Sequence, residues 1–223
     1  MDTRQLQKSM LFRGMTETEI SNVLQVLEAR EKNFQNSETL LIAGTITERM
    51  GLVLEGSVTI ESNDVWGNRT IISHVGKGQV FAETYALLEN EPMLVDVTAS
   101  EDCRILFLRS GRIQSLKSSL EPWILKYVTN LLTISMHKNL ILSGRSFHTA
   151  PKTIRGRVMA YLNSVSLQKH SREFDIPFDR QQLADYLNLE RSALSKELGK
   201  MQRDGLISCR KNHFIILQTG LEH

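Results

Sequence analysis

The chain has 223 residues, 41% of them hydrophobic and 23% charged, and a formal net charge of +2; this suits a globular protein of one large or two smaller domains and excludes long disordered tracts. No window approaches the roughly 18 uninterrupted apolar residues of a spanning helix, and the first residues lack an apolar signal core, so a cytoplasmic protein without a membrane partner is expected. The two cysteines, Cys103 and Cys209, form neither a CxxC nor a ligand cluster, so no disulfide framework, structural zinc or iron–sulfur cluster is expected.

In chain order, Thr16 followed by Glu19 reads as a capping box, and Ile20, Val23, Leu24 and Leu27 recur at helical spacing behind it. Over residues 30–109 the pattern changes to short β-branched runs. These are Thr39-Leu40-Leu41-Ile42, Gly51-Leu52-Val53-Leu54, Ser57-Val58-Thr59-Ile60, Thr70-Ile71-Ile72-Ser73, Val95-Asp96-Val97-Thr98-Ala99 and Arg104-Ile105-Leu106-Phe107-Leu108. Ala43-Gly44, Glu55-Gly56, Trp66-Gly67-Asn68, Gly76-Lys77-Gly78 and Glu91-Pro92 punctuate them, as expected of an antiparallel barrel or jelly roll.

Helical spacing returns over residues 122–145. Pro122 is placed to open the helix, and Ile124, Val128, Leu131, Ile134, Ile141 and Leu142 form a three-four stripe interrupted at Ser135 and Lys138. The stripe predicts either an imperfect coiled-coil seam or a helix packed on its own barrel, with Gly144 and then Ala150-Pro151 ending it and giving a hinge. The charge divides at that hinge: residues 152–223 hold 12 Lys+Arg against 8 Asp+Glu, and the rest 15 against 17. Such asymmetry is what a separate nucleic-acid module gives. The terminal Leu221-Glu222-His223 reads as the start of a tag and is set apart from the fold.

The most specific signal follows. Asp179 with Gln182 is a second capping-box start, and Leu183, Ala184 and Leu187 form the inward stripe of a first short helix. Asn188-Leu189-Glu190 is a tight turn, and Leu194, Leu198 and Met201 line one face of a second helix whose other face carries Arg191, Ser192, Ser195 and Lys196. This is a helix-turn-helix. An arginine fork matches guanine O6 and N7, hydroxyls serve either base class, and lysines neutralise phosphate. Arg191 is therefore the candidate base reader. Lys196 and Lys200 are placed for a base edge or a phosphate, and Arg180 and Gln181 for the DNA backbone. After Gly205, Leu206-Ile207-Ser208-Cys209-Arg210 and His213-Phe214-Ile215-Ile216-Leu217 read as a hairpin turning at Lys211-Asn212, a wing with Arg210 and Lys211 near its tip.

Residues 11–217 resemble a Crp/Fnr-type transcription regulator, the superfamily of the cyclic AMP receptor protein. The resemblance rests on Ile42-Ala43-Gly44, on Leu52-Val53-Leu54-Glu55-Gly56-Ser57-Val58, on the stretch from Gly76 to Glu83 and on the helix-turn-helix. It implies an α+β chain with a double-stranded β-helix (jelly-roll) domain of the cyclic-nucleotide-binding type over residues 1–120. A dimerisation helix and hinge would follow over 121–150, and a winged helix-turn-helix over 151–220. It further implies a homodimer on a near-palindromic double-stranded DNA operator, with RNA polymerase as a further partner.

Cyclic-nucleotide-binding members hold the ribose with a glutamate, which Glu83 matches, and the phosphate with an Arg-Ser pair, where this chain has Met93-Leu94. A buried phosphate without its arginine loses its charge-assisted hydrogen bonds, so cyclic AMP is expected to bind poorly or not at all. Iron–sulfur members need several cysteines near the amino terminus, and His74 and Cys103 lack the context of haem ligands, so no cofactor is expected. The resemblance leaves an apolar-leaning effector pocket at Val80, Phe81, Glu83, Tyr85, Met93 and Leu94, with Thr133, Met136 and His137 from the dimer helix, for a small hydrophobic metabolite or acid. The plain alternative makes Met93 and Leu94 core residues and Glu83 a cap for a helix at Thr84-Tyr85-Ala86-Leu87-Leu88. Ser192 stands where many members carry a base-reading glutamate, so their operator sequence does not transfer. Two other readings are a thiol-redox or effector-independent regulator using Cys103 or Cys209, and a cupin-type metalloenzyme. The lone His74 lacks the His-x-His that the enzyme would need.

Overall fold

The computed structural model describes residues 3–63, 69–88, 90–116 and 121–217. The expected turn at Trp66-Gly67-Asn68 and the terminal Leu221-Glu222-His223 lie outside them. The chain divides into two compact units, residues 1–135 and 136–223.

In the first unit a short helix α1 (Thr3–Leu6) and a 3-10 turn (Met10–Phe12) lead to α2 (Glu17–Val26). Its capping box forms as the sequence predicts: the Glu19 amide donates to Thr16 Oγ1 at 3.2 Å and the Thr16 amide to Glu19 Oε2 at 2.8 Å. Eight strands follow: β1 (Arg30–Phe34), β2 (Thr39–Leu41), β3 (Met50–Glu55), β4 (Ser57–Asn63), β5 (Arg69–Gly76), β6 (Val80–Phe81), β7 (Asp96–Ala99) and β8 (Cys103–Leu108). They form two four-stranded antiparallel sheets in the orders β1-β8-β3-β6 and β2-β7-β4-β5, the jelly roll. β1 and β6 carry no sequence signal of their own. Arg30-Glu31-Lys32-Asn33 is polar and exposed, and its strand state comes from pairing with β8.

The strands with the strongest apolar runs are buried on both faces. On β3, Met50, Leu52 and Leu54 join an outer core with α2, while Val53 joins an inner core with Phe34, Val58, Phe81, Met93 and Ile105. Gly51 sits where the Phe81 ring lies on the β3 backbone, and a Cβ there would overlap that ring. Gly51→Ala is expected to lower stability by roughly 1–3 kcal/mol, the usual cost of overpacking. Thermal unfolding checks this, and a melting temperature equal to that of the parent protein would show that Phe81 moves aside freely.

The helix α4 (Pro122–Thr149) opens at Pro122 and stops just before Ala150-Pro151, both as expected, while Gly144, the other expected end signal, lies inside it. A single interior glycine costs about 1 kcal/mol, too little to end a helix of this length. The expected stripe is also corrected. Trp123, Tyr127, Leu131 and Ile134 are buried on the outer core, whereas Val128, Ile141 and Leu142 are exposed. The two aromatics bury the most area, and their spacing sets the face that packs. The Tyr127 hydroxyl, fully enclosed, bonds Ser110 Oγ at 3.1 Å, and burial pushes its pKa far up.

The second unit holds α5 (Ile154–Lys169), β9 (Glu173–Asp175), α6 (Arg180–Tyr186), α7 (Arg191–Arg203), β10 (Ile207–Arg210) and β11 (His213–Ile216). Thr153 caps α5 by accepting from the Gly156 amide at 3.0 Å. The wing is a three-stranded sheet, β10-β11-β9, rather than the hairpin alone. Val158, Leu162, Phe174, Leu183, Leu187, Leu194, Leu198, Met201 and Phe214 share one core, which fixes α7 with its polar side outward.

Candidate nucleic-acid interface

The helix-turn-helix is built by local chemistry. Asp179 Oδ1 accepts from the Gln182 amide at 2.8 Å, and Gln182 Oε1 from the Asp179 amide at 2.9 Å, so α6 starts where the sequence places it. The turn needs a left-handed residue, supplied by Asn188 at φ 53°. Two arginines that sequence reasoning did not single out hold this turn. Arg157 donates to the carbonyls of Leu187 and Asn188 at 3.2 and 3.1 Å. Arg145 donates to those of Tyr186 and Asp185 at 3.1 and 3.2 Å and to Asn188 Oδ1 at 3.2 Å. Their charge lies against the carbonyls at the carboxyl end of the short helix, where the helix dipole is negative. Beside them His148 Nδ1 lies 2.9 Å from the Tyr186 hydroxyl among the rings of Tyr161 and Tyr186. Burial lowers the pKa of His148, so a neutral imidazole fits this cluster.

Arg191 is the first residue of α7, and Ser192, Ser195, Lys196 and Lys200 follow on its exposed side. Among the described residues, Arg191, Ser192, Ser195 and Lys196 make no side-chain hydrogen bond or ion pair. Lys200 has only a 3.9 Å approach to Glu197. Arg203, missed by the sequence reading, extends the same basic face by one turn. Arg155 is different. It is clamped between Glu197 at 2.8 Å and Asp204 at 2.6 Å, which makes it a brace for α7 rather than a free cation.

The other expected DNA contacts differ in freedom. Arg180 is half-buried, with its guanidinium 5.8 Å from the centre of the Phe214 ring and a 3.4 Å bond to the Lys211 carbonyl. Gln181 donates to Asp185 Oδ1 at 2.8 Å. Arg210 and Lys211 are exposed at the wing tip, where Lys211 takes φ 55° to make the two-residue turn. The chemistry on offer is a row of cations and hydroxyls on a rigid helix with a basic loop beside it, suited to a polyanion.

The expected effector residues are dispersed by environment. Phe81 and Met93 lie in the inner core of the roll and Val80 in the outer one. Phe81 meets Phe107 edge-on with ring centres 6.2 Å apart. Glu83 is buried, but it is the first residue of α3 (Glu83–Leu87) and Ala82 occupies the cap position, which corrects the capping alternative. Tyr85 is half-buried and its hydroxyl accepts from the Leu94 amide at 3.2 Å, while the Leu94 side chain is 77% exposed. On α4 the Thr133 hydroxyl donates to the Thr129 carbonyl at 2.8 Å, and Met136 and His137 are exposed. Cys103 is buried, with its thiol pKa raised by desolvation and by Glu38, Asp102 and Glu101, the direction opposite to that of a reactive thiolate. Among the described residues no cluster of three potential metal ligands occurs, and no helix is long and apolar enough to cross a membrane.

Two family models match: the cyclic nucleotide-binding domain over residues 31–119 and the Crp-like helix-turn-helix domain over residues 156–220. The CRP-like protein Clp of Xanthomonas oryzae pv. oryzae is 22% identical over 173 residues, 75% of each chain. Among solved structures, CprK complexed with OCPA aligns with a TM-score of 0.59 at 16% identity, covering 90% of this chain and 91% of that one. The c-di-GMP responsive regulator CLP of Xanthomonas campestris aligns with a TM-score of 0.52 at 17% identity, over 92% and 100% of the two chains. The structural likenesses concern the fold.

Proposed function

The chain belongs to the Crp/Fnr-type transcription regulators, and from that premise we propose that it is a cytoplasmic homodimer that binds a near-palindromic operator under the control of a small-molecule effector other than cyclic AMP. The observation that carries the DNA-binding part is the exposed side of α7, where the side chains of Arg191, Ser192, Ser195 and Lys196 are held on a packed helix without partners among the described residues. Arg191 and Ser192 read bases from the amino-terminal turn, Ser195 and Lys196 extend the contact, and Lys200, Arg210 and Lys211 bind phosphate. Arg180 and Gln181 contact the backbone once their internal bonds yield. RNA polymerase is the partner to which such a bound dimer answers.

Dimerisation is supported by the second face of α4. Leu125, Val128, Leu132, Met136 and Leu140 recur every three or four residues, and all are exposed. At 100° per residue they lie opposite Trp123, Tyr127, Leu131 and Ile134. One helix thus carries two apolar faces, one spent on its own jelly roll and the other suited to an identical helix.

The effector part rests on the sensor fold and on Met93-Leu94. Met93 is core, so the position that would hold a phosphate-binding arginine is occupied by packing. CprK is solved complexed with OCPA and the Xanthomonas CLP is described as c-di-GMP responsive, which supports a reading in which the fold is kept while its ligand changes. Glu83, Tyr85, Leu94, Thr133, Met136 and His137 stay as the effector residues of this proposal, with Val80, Phe81 and Met93 as the packed wall behind them.

The test is fluorescence anisotropy with operator and random DNA across a salt series. Affinity should fall steeply with salt, and Lys200→Ala should weaken binding evenly across sequences and reduce the salt slope by about 1. A Lys200→Ala protein with an unchanged slope would remove Lys200 from the phosphate contacts. Absence of DNA binding at every salt concentration would end the proposal.

A further inference from the structure

A cleft of about 480 Å³ opens on the jelly-roll unit between the amino-terminal segment, β3 and the turn after β5, lined among others by Arg4, Gln5, Lys8, Leu52, Leu54 and Lys77. Its volume falls in the range of small-molecule sites. Its charge is one-sided: among the described residues no carboxylate lines it, whereas two neighbouring cavities of the same unit are lined by Glu38, Glu55 and Asp102 and by Glu48.

The cations around it are unusual for this unit. Arg49, Arg104, Arg109 and Arg112 are each spent on glutamates. Lys8 and Lys77 are exposed and, among the described residues, their side chains have neither an ion pair nor a hydrogen bond. Arg4 is shared with Glu17 at 3.3 Å, in an exposed pair that holds it loosely. Lys8 and Lys77 thus line one hollow from separate chain segments, and an anion held by both ammonium groups would gain charge-assisted hydrogen bonds from each.

The segment that forms one wall is also tied to α4. Lys126 donates to both Glu19 oxygens at 2.8 Å, and Asn130 Nδ2 to the carbonyls of Leu11 and Arg13 at 3.0 and 2.9 Å. A ligand that fixes Lys8 against Lys77 therefore stiffens a segment already latched to the helix proposed to form the dimer.

The geometry points to this cleft as a binding site for a small organic dianion, of the size of a short dicarboxylate or a phosphate monoester, separate from the expected effector residues around Glu83. Its regulatory meaning rests on the effector-controlled reading above, while the binding itself does not. Isothermal titration of the full chain at pH 8 with glutarate and with glycerol 3-phosphate at fixed ionic strength tests it, and which of the two binds tells carboxylate from phosphate preference. Lys8→Gln with Lys77→Gln is expected to weaken binding roughly tenfold or more, and Lys77→Arg to retain it. The double variant should bind DNA as the parent does without the anion, so loss of the anion site and loss of DNA binding are read separately. Binding by neither probe, equal binding by the double variant, or binding that disappears with Arg191→Ala and Lys196→Ala instead would each overturn the assignment.

Discussion

Leu132→Glu is expected to convert the protein to a monomer in sedimentation and to lower its affinity for a two-half-site operator by roughly a hundredfold or more. The size of the effect follows from linkage: two joined reading heads gain about 10²–10⁴ over one, and a monomer forfeits all of it. In a two-fold dimer each residue near the axis faces its own copy, so one substitution places two like charges together. Leu132 is 53% exposed in the single chain, so the change spares the fold, whereas its neighbour Leu131, 5% exposed, packs on the jelly roll. Leu131→Glu is therefore the contrasting variant and should fail by unfolding. A Leu132→Glu protein that remained dimeric and bound the operator normally would place the interface elsewhere.

That contrast also shows what the sequence discloses about α4. The three-four spacing over residues 122–145 is real, but two stripes share the helix, and a single-period reading merges them. Leu131 and Ile134 belong to one and Val128 to the other. Trp123 and Tyr127 were the missing clue, since two aromatics four apart outweigh the aliphatics beside them in buried area. Strands were legible where both faces are apolar, as on β3 and β8, because the surrounding glycines and β-branched residues mark them. β1, β6 and β9 were not. Their strand state is imposed by partners distant in the chain, through β8, β3 and β11 respectively.

The reading head was legible almost residue by residue because capping boxes and inward stripes are local. What escaped notice was its bracing. Arg145, Arg155 and Arg157 carry no local pattern that marks them as braces, and carbonyls or carboxylates engage all three. Conversely, Arg203 is exposed on α7 and was overlooked as the last residue of the stripe. A basic residue's role depends on whether an acceptor lies within reach, and that is a tertiary fact. The sensor was the least legible part. Residues grouped by resemblance as pocket lining include Phe81 and Met93, which are packed against the inner core. Chemical type alone does not separate a pocket wall from a filled core.

Arg191→Ala is expected to flatten sequence preference at one base pair of each half-site, at a cost of about 1–3 kcal/mol in discrimination per contact. Because 1.4 kcal/mol is tenfold, that is roughly a factor of 5 to 150 per half-site, and a symmetric dimer bears it twice. Position and freedom single out Arg191: it begins α7, whose amino-terminal turn is the part of a recognition helix that meets base edges, and its guanidinium has no partner among the described residues. Lys200 lies nine residues further along the same helix, about 13 Å at 1.5 Å per residue, which takes it from the base edges to the backbone. The two substitutions should therefore fail differently in one competition experiment using operator, operator with one altered base pair, and random DNA. Arg191→Ala should lose the difference between the first two while keeping most of its affinity for the third; Lys200→Ala should lose affinity for all three alike. A uniform loss with Arg191→Ala would reduce it to a phosphate contact and leave base reading to Ser192, Ser195 and Lys196.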